Sequence, residues 1–248
     1  MNESFITERV KALHTKLQQE NRKTLIVGIS GGIDSAVVLG LLRALQTAYP
    51  GFYNVIPLVA PIRDSIGTTE QREAESVGNE VAVQFGYEPH LYHLGELSKT
   101  AKNVLSLNTP YLQQQIDYWL RPMAFYAVAM KNENSIIIST TNKSEWELGW
   151  FSQYLDIFGI HPVIDLYKSD VYKLAKYLKV PSSVLNIAPK GGLASGETDE
   201  DSLGFTYHEF EMYFRFGVNT QNSKNIQKRI DESAFKRNRF NLDFIKNV

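Results

Sequence analysis

Apolar positions along the chain recur with two periods, and the alternation between those periods predicts the architecture. Phe5, Ile6, Val10, Leu13 and Leu17 fall on one face of a 3.6-residue repeat, so Phe5 to Glu20 is predicted as an amphipathic helix. Thr24 to Ile29 is instead a short β-branched run bounded by glycine, as expected of a strand buried in a parallel sheet. Helical spacing returns over Ser35 to Gln46. A strand follows at Asn54 to Ala60 (NVIPLVA), a helix at Glu70 to Gly86 and a strand-like run at His90 to Leu94. Residues 110–132 are aromatic-rich and read as helix apart from Pro122. Ser135 to Thr141 reads as another buried strand, and Ser169 to Leu178 and Thr206 to Phe214 as helices. Strands alternating with crossover helices predict an α/β fold, a parallel sheet with helices on both faces.

No internal repeat, low-complexity tract or linker interrupts this pattern, so a single domain over residues 1–248 is expected, with a polar, basic tail from about residue 217. No apolar run approaches the roughly 20 residues that span a bilayer. The start, MNESFITERVKALHTKL, is charged and amphipathic without an apolar leader region, which predicts a cytoplasmic protein with no membrane partner. A net charge of −1 argues against a nucleic-acid partner held by phosphate contacts. The chain has no cysteine, which removes disulfides, thiolate metal sites, cysteine nucleophiles and persulfide carriers. Its five histidines are scattered without metal-ligand spacing.

The chemistry concentrates in GISGGIDS, residues 28–35, between a predicted strand and a predicted helix. The backbone N–H groups of Ser30, Gly31, Gly32 and Ile33 there meet a helix N-terminus, whose unpaired donors and positive dipole end attract anions. Glycines let the chain approach phosphate oxygens closely, and Ser30 and Ser35 add hydroxyls. Asp34 would repel a phosphate unless a cation stood between them, and Mg²⁺ is the natural one. The bland alternative is a glycine turn capping a helix. The loop is neither G-x-x-x-x-G-K-[ST] nor G-x-G-x-x-G, which disfavours γ-phosphoryl transfer and dinucleotide redox binding.

S-G-G-x-D-S resembles the pyrophosphatase loop of the ATP-dependent adenylating ligases, which implies the adenine nucleotide alpha hydrolase-like (Rossmann-like) fold and AMP transfer with pyrophosphate leaving. Two further stretches resemble the ammonia-dependent NAD synthetases within that superfamily. STTNKSEWELGWFSQY (139–154) is similar to G-T-x-N-x-x-E-x-x-x-G-[YF]-x-T-[KR]-[YF], with Thr141, Asn142, Glu145, Gly149 and Phe151 in matching places. LYKSDVYKLAKYLKVPSSVLNIAPKGGLASGETDEDSLGFTYHEFE (166–211) is similar to the family's longer pattern through its mobile segment. The likeness covers roughly residues 5 to 240.

The resemblance implies an ammonia-dependent amide ligase that adenylates the carboxylate of nicotinic acid adenine dinucleotide (deamido-NAD) and amidates it to NAD⁺. ATP would be held by Gly28, Ser30, Gly31, Gly32, Asp34, Ser35, Thr140, Thr141, Lys168 and Thr198. Of these, Asp34, Lys168 and Thr198 are the expected catalytic residues. Asp34 and Glu145 would share Mg²⁺, and Asp199 and Glu200 would lie in the segment that closes over the site. Arg121, Asn142, Phe151, Asp156 and Lys236 would meet the acceptor. A homodimer is implied, with the aromatic stretch from Tyr118 to Tyr126 suited to its interface. Ammonia would be free or come from a separate glutaminase partner.

The acceptor side departs from the family pattern. Where the family has N-x-x-A-R-x-R-M, residues 116–123 read IDYWLRPM; the second aspartate of G-D-x-x-x-D is absent; and H-K-R becomes Phe235-Lys236-Arg237. Two rivals follow. One is the same ligase chemistry on a different small carboxylate, and the other is an adenine-nucleotide sensor without turnover.

Overall fold

A central parallel strand must be apolar on both faces, and here each face is claimed by a different set of helices. The computed structural model describes residues 2–62, 68–151, 159–188 and 198–237. Its strands are β1 (Thr24–Gly28), β2 (Asn54–Val59), β3 (His90–Leu91) and β4 (Ser135–Ile138). The helices are α1 (Glu3–Gln19), α2 (Ile33–Ala48), α3 (Thr68–Gln84), α4 (Gly95–Val104), α5 (Pro110–Met130) and α6 (Lys143–Leu148). They continue with α7 (Lys168–Tyr177), α8 (Ser182–Leu185), α9 (Asp199–Leu203), α10 (Tyr207–Phe216), α11 (Ser223–Glu232) and α12 (Ala234–Arg237).

All pairings are parallel in the order β3-β2-β1-β4, with Ile26 of β1 level with Ile56 of β2 and Ile137 of β4. Leu25, Val27 and Ile29 point to one face and share a core with Leu17 of α1, Leu41 and Leu42 of α2, Val81 of α3 and Leu174 of α7. Ile26 points to the other, where Ile56 and Ile137 meet Val128 and Phe125 of α5. The predicted fold class therefore stands, helices on both faces included. Beyond β4 a bridge from Ile138 to Ile160 extends the sheet by one contact.

This topology fixes where a ligand can enter. From β1 the chain winds outward through β2 and β3, then returns to β1's other side as β4. The crevice outside the carboxyl ends of β1 and β4 is thus a topological switch point, the usual binding place in such sheets. Gly28 closes β1 at this edge under α5: a Cβ on it would lie 2.5 Å from Phe125 Cζ, so only glycine lets α5 pack so near. A small second core of Leu148, Tyr167, Phe205, Phe210 and Ile226 joins α6, α10 and α11 beside that edge.

Three local expectations shift. Pro122 does not interrupt α5: it is buried within the helix, which runs on to Met130. Proline removes one ladder bond, but burial of Leu120, Ala124 and Val128 around it keeps the helix in register. The strand expected over His90 to Leu94 is confined to His90–Leu91, at the sheet edge. α4 begins at Gly95, and its short apolar stripe of Leu97, Ala101 and Val104 is mostly exposed, leaving a weak helical signal in the sequence. Beyond residue 217 the chain forms α11 and α12. Among the described residues no helix is long and apolar enough to cross a membrane.

Candidate active site

The glycine loop turns at Gly31, whose φ of +79° and lack of Cβ are both required, since a Cβ would sit 2.7 Å from the Ala74 carbonyl oxygen. Gly32 then serves as N-cap of α2 without a side-chain capping bond. The first turn of α2 thus keeps its N–H groups for an anion. Ser30 and Ser35 stiffen the loop: their hydroxyls lie 3.2 Å apart, Ser30 Oγ accepts from the Gly32 N–H at 3.3 Å, and Ser35 Oγ donates to the Gly32 carbonyl at 2.9 Å.

Asp34, in the first turn of α2, is where three distant segments meet. Its Oδ2 accepts from Lys168 Nζ at 2.6 Å and its Oδ1 from Asn142 Nδ2 at 2.8 Å. Lys168 Nζ also donates to Glu145 Oε1 at 3.0 Å. Lys168 is only 3% exposed and Asn142 is fully buried. Asn142 caps α6 in a reciprocal box with Glu145, so one local motif aims both side chains at the crevice. The Lys168 backbone N–H is fixed in turn by Ser144 Oγ at 3.0 Å. The Tyr207 ring closes another side of the ammonium, its centroid 5.2 Å from Nζ.

One ammonium between two buried carboxylates cannot fully compensate both. Burial, then the charge of Asp34, push the Glu145 carboxyl up to about 8, with Lys168 pulling the other way. Burial alone would lower the Lys168 ammonium, but Asp34 and Glu145 outweigh it, so its pKa is raised and it stays charged. Burial also raises Asp199, against the opposing pull of Lys168 and a hydrogen bond from Tyr207.

A hard dication binds carboxylate oxygens together with substrate phosphates and water. Asp34 and Glu145, facing one point beside the uncapped start of α2, suit Mg²⁺ on those terms. Among the described residues no group of three or more His, Cys, Asp or Glu could hold a metal ion by itself.

The family profile described as NAD synthase matches residues 5–240. The chain belongs to the NAD synthase family. An NH₃-dependent NAD⁺ synthetase of Finegoldia magna is 31% identical over 232 residues, covering 92% of this chain and 90% of the relative. Among solved structures, the NMN synthetase of Francisella tularensis superposes with a TM-score of 0.82 at 27% identity, covering 95% of each chain. The NH₃-dependent NAD synthetase of Campylobacter jejuni, in complex with nitrate, superposes at 0.71 and 24% identity over 95% and 96% of the two chains.

Against the NAD synthase pattern, the structure gathers Asp34, Asn142, Glu145 and Lys168 into one hydrogen-bonded cluster. Asn142, expected at the acceptor, spends its amide on Asp34. Thr141 is buried and its N–H donates to Ser139 Oγ at 3.2 Å, while Thr140, beside it, is half-buried. Thr198 is the N-cap of α9, and its hydroxyl donates to Asp201 Oδ2 at 2.7 Å. Arg121 Nε donates to the Ala60 carbonyl at 3.3 Å. Phe151 stacks on Trp146, and Lys236 Nζ donates to the Gly149 and Phe151 carbonyls, both at 2.8 Å. Asp156 lies outside the described residues. Sequence reading missed Tyr207 as a neighbour of Lys168; its only signal was a tyrosine inside the FTYHEFE match.

A titration checks this electrostatic picture. With the Glu145 carboxyl raised from 4.5 to about 8, the folded chain keeps a proton that the unfolded chain releases, so the ligand-free protein loses stability as pH rises through that window. The slope is at most about 1.4 kcal/mol per pH unit. Urea midpoints from pH 5 to 8 should therefore fall in the parent chain and fall less steeply in Glu145→Gln. Parallel slopes would contradict the assignment.

Proposed function

We propose that this protein is an ammonia-dependent NAD⁺ synthetase. The observation that carries the reading is the Asp34–Lys168–Glu145 cluster set against the open N-terminus of α2. The loop S-G-G-x-D-S is of neither the kinase-type nor the dinucleotide type, and paired carboxylates beside an open helix start suit a metal-bound leaving pyrophosphate.

The carboxylate of deamido-NAD attacks the α-phosphorus of ATP, forming an acyl-adenylate while the bond to pyrophosphate breaks. The N–H groups at the start of α2, with Ser30 and Ser35, hold the β- and γ-phosphates. Lys168 turns its charge from the carboxylates to the phosphate oxygens as negative charge gathers on the leaving group. Asp34 and Glu145 would hold Mg²⁺, which would supply neutralisation of the phosphate charge. Ammonia, free or delivered by a separate glutaminase, then displaces AMP. Most of the acceleration comes from positioning and from charge placed in advance. The reaction suits a cytoplasmic protein, and residues 1–248 are read as one catalytic domain.

A second acceptor has a specific observation behind it. The NMN synthetase of F. tularensis, at 27% identity, superposes with the higher TM-score of the two solved relatives named above, and residues 116–123 depart from the dinucleotide-site pattern. The curated relatives are named for NAD⁺, and the dinucleotide is the favoured acceptor here.

With ATP, Mg²⁺ and ammonium, deamido-NAD should give AMP and NAD⁺ in equal amounts, and nicotinic acid mononucleotide should turn over more slowly. Asp34→Ala should cost at least about 100-fold in kcat/KM. Faster turnover of the mononucleotide would transfer the assignment to the second acceptor. ATP binding without AMP release, whichever acid is supplied, would leave only a sensor.

We also propose a homodimer through α5. Trp119, Met123, Tyr126 and Met130 are 43%, 47%, 50% and 82% exposed at helical spacing, forming a continuous apolar stripe on a helix already packed against the sheet. Light scattering at micromolar protein should give twice the 28.2 kDa chain mass, and Trp119→Glu with Met123→Glu should give the single-chain mass. A parent chain that is monomeric at that concentration would refute the interface.

A further inference from the structure

Asp199 begins α9 and is 5% exposed. Tyr207 Oη donates to its Oδ2 at 3.1 Å, whereas its Oδ1 is buried and accepts no hydrogen bond. An anionic oxygen shut away from water without a donor is expensive, and native structures keep such groups where a ligand satisfies them. The surroundings say which kind of ligand. Asp199 feels the charges of Lys168 and Asp34 and the indole N–H of Trp150. Its own charge acts on Tyr118, on α5 one turn before Arg121. Asp199 is thus coupled electrostatically to Lys168 and Asp34 of the ATP cluster and to Tyr118 of α5, and it touches the Tyr207 hydroxyl directly.

An anion would be repelled there. A hard divalent ion would find one free carboxylate oxygen and aromatic rings where it needs several oxygens. A small monovalent cation that donates hydrogen bonds fits both features, because the carboxylate accepts its protons and aromatic faces attract its charge.

We propose that Asp199 Oδ1, with Tyr207 and Trp150, is the ammonium-binding subsite of the amidation step, and that Asp199 is the base that makes the bound ammonium nucleophilic. This deepens the synthetase reading and rests on it. Ammonium gives one proton to Asp199 Oδ1. The freed nitrogen lone pair forms the C–N bond to the acyl carbon of the adenylate. The C–O bond to AMP breaks, its electron pair leaves with the AMP phosphate, and the second surplus N–H proton goes to that phosphate. Asp199 returns its proton to solvent after product release. Tyr207, donating to Oδ2, keeps the other oxygen turned to the ligand.

The two half-reactions separate this assignment from the one beneath it. Exchange of labelled pyrophosphate into ATP, with deamido-NAD and Mg²⁺ but no ammonium, reads adenylation alone; its absence in the parent enzyme would sink the synthetase reading rather than the subsite. Asp199→Asn should keep exchange within about threefold while the KM for ammonium rises at least about 30-fold. Hydroxylamine, already neutral at the assay pH, needs no base, so its rate should fall several times less than the ammonium rate. Tyr207→Phe keeps the ring and withdraws the hydroxyl, and should raise the ammonium KM about 3- to 10-fold with exchange retained. If Asp199→Asn does not fold, the Tyr207→Phe ratios decide alone. Equal losses of exchange and amidation, an unchanged ammonium KM, or equal losses with ammonium and hydroxylamine would each overturn the subsite.

Discussion

The ammonium of Lys168 is buried, and a buried charge must be compensated where it stands. Compensation comes from Asp34 of α2 and Glu145 of α6, at 2.6 and 3.0 Å. Three chain segments, lying 134 and 23 residues from one another along the sequence, are thereby held to a single point. Break the contact with Asp34 and the buried ammonium loses its nearest counter-charge. The sheet brings the loops after β1 and β4 to the same edge, but this ion triad sets their spacing. The same arrangement suits polyphosphate, because a lysine held by carboxylates can exchange one anion for another without leaving its place.

Glu145 and Asn142 sit on a helix of six residues, too short to persist alone. Its far end is fastened by cations from the chain's last described turns. Arg229 Nε donates to the Leu148 carbonyl at 3.0 Å, Lys236 Nζ to Gly149 and Phe151 at 2.8 Å, and Arg237 Nη1 to Glu147 at 2.6 Å. Positive charge at a helix C-terminus also meets its dipole favourably. Gly149 makes the close approach feasible: its φ is +59°, and a Cβ there would lie 2.3 Å from Ser233 Cβ. Residues at 229–237 therefore help hold carboxylate geometry that acts at the opposite end of α6.

Much of the nucleotide side was legible in sequence because its requirements are local. A loop that must turn through positive φ and admit phosphate needs glycine at Gly31 and Gly32, and an aspartate placed among them demands a cation. The long strands were legible for the same reason, being continuous β-branched runs. Asn142 was harder. An asparagine three residues before a glutamate reads as a helix cap, and it is one, but its free amide reaches Asp34 across 108 residues. Tyr207 met Lys168 only through tertiary packing, and no spacing rule could announce that. α4 went unread because its apolar residues are few and outward-facing, and Pro122 misled because packing on the sheet outweighs the lost backbone bond.

The most direct test of the central claim is a double-mutant cycle on stability at pH 7, using Lys168→Met, Asp34→Asn and the pair. If the buried ammonium and carboxylate hold each other, each single change leaves the remaining charge less well compensated, and the double variant is more stable than the sum of single losses predicts. A coupling of about 2 kcal/mol or more is expected. Additive losses would mean that Lys168 and Asp34 do not depend on one another, and the account built on their contact would fail.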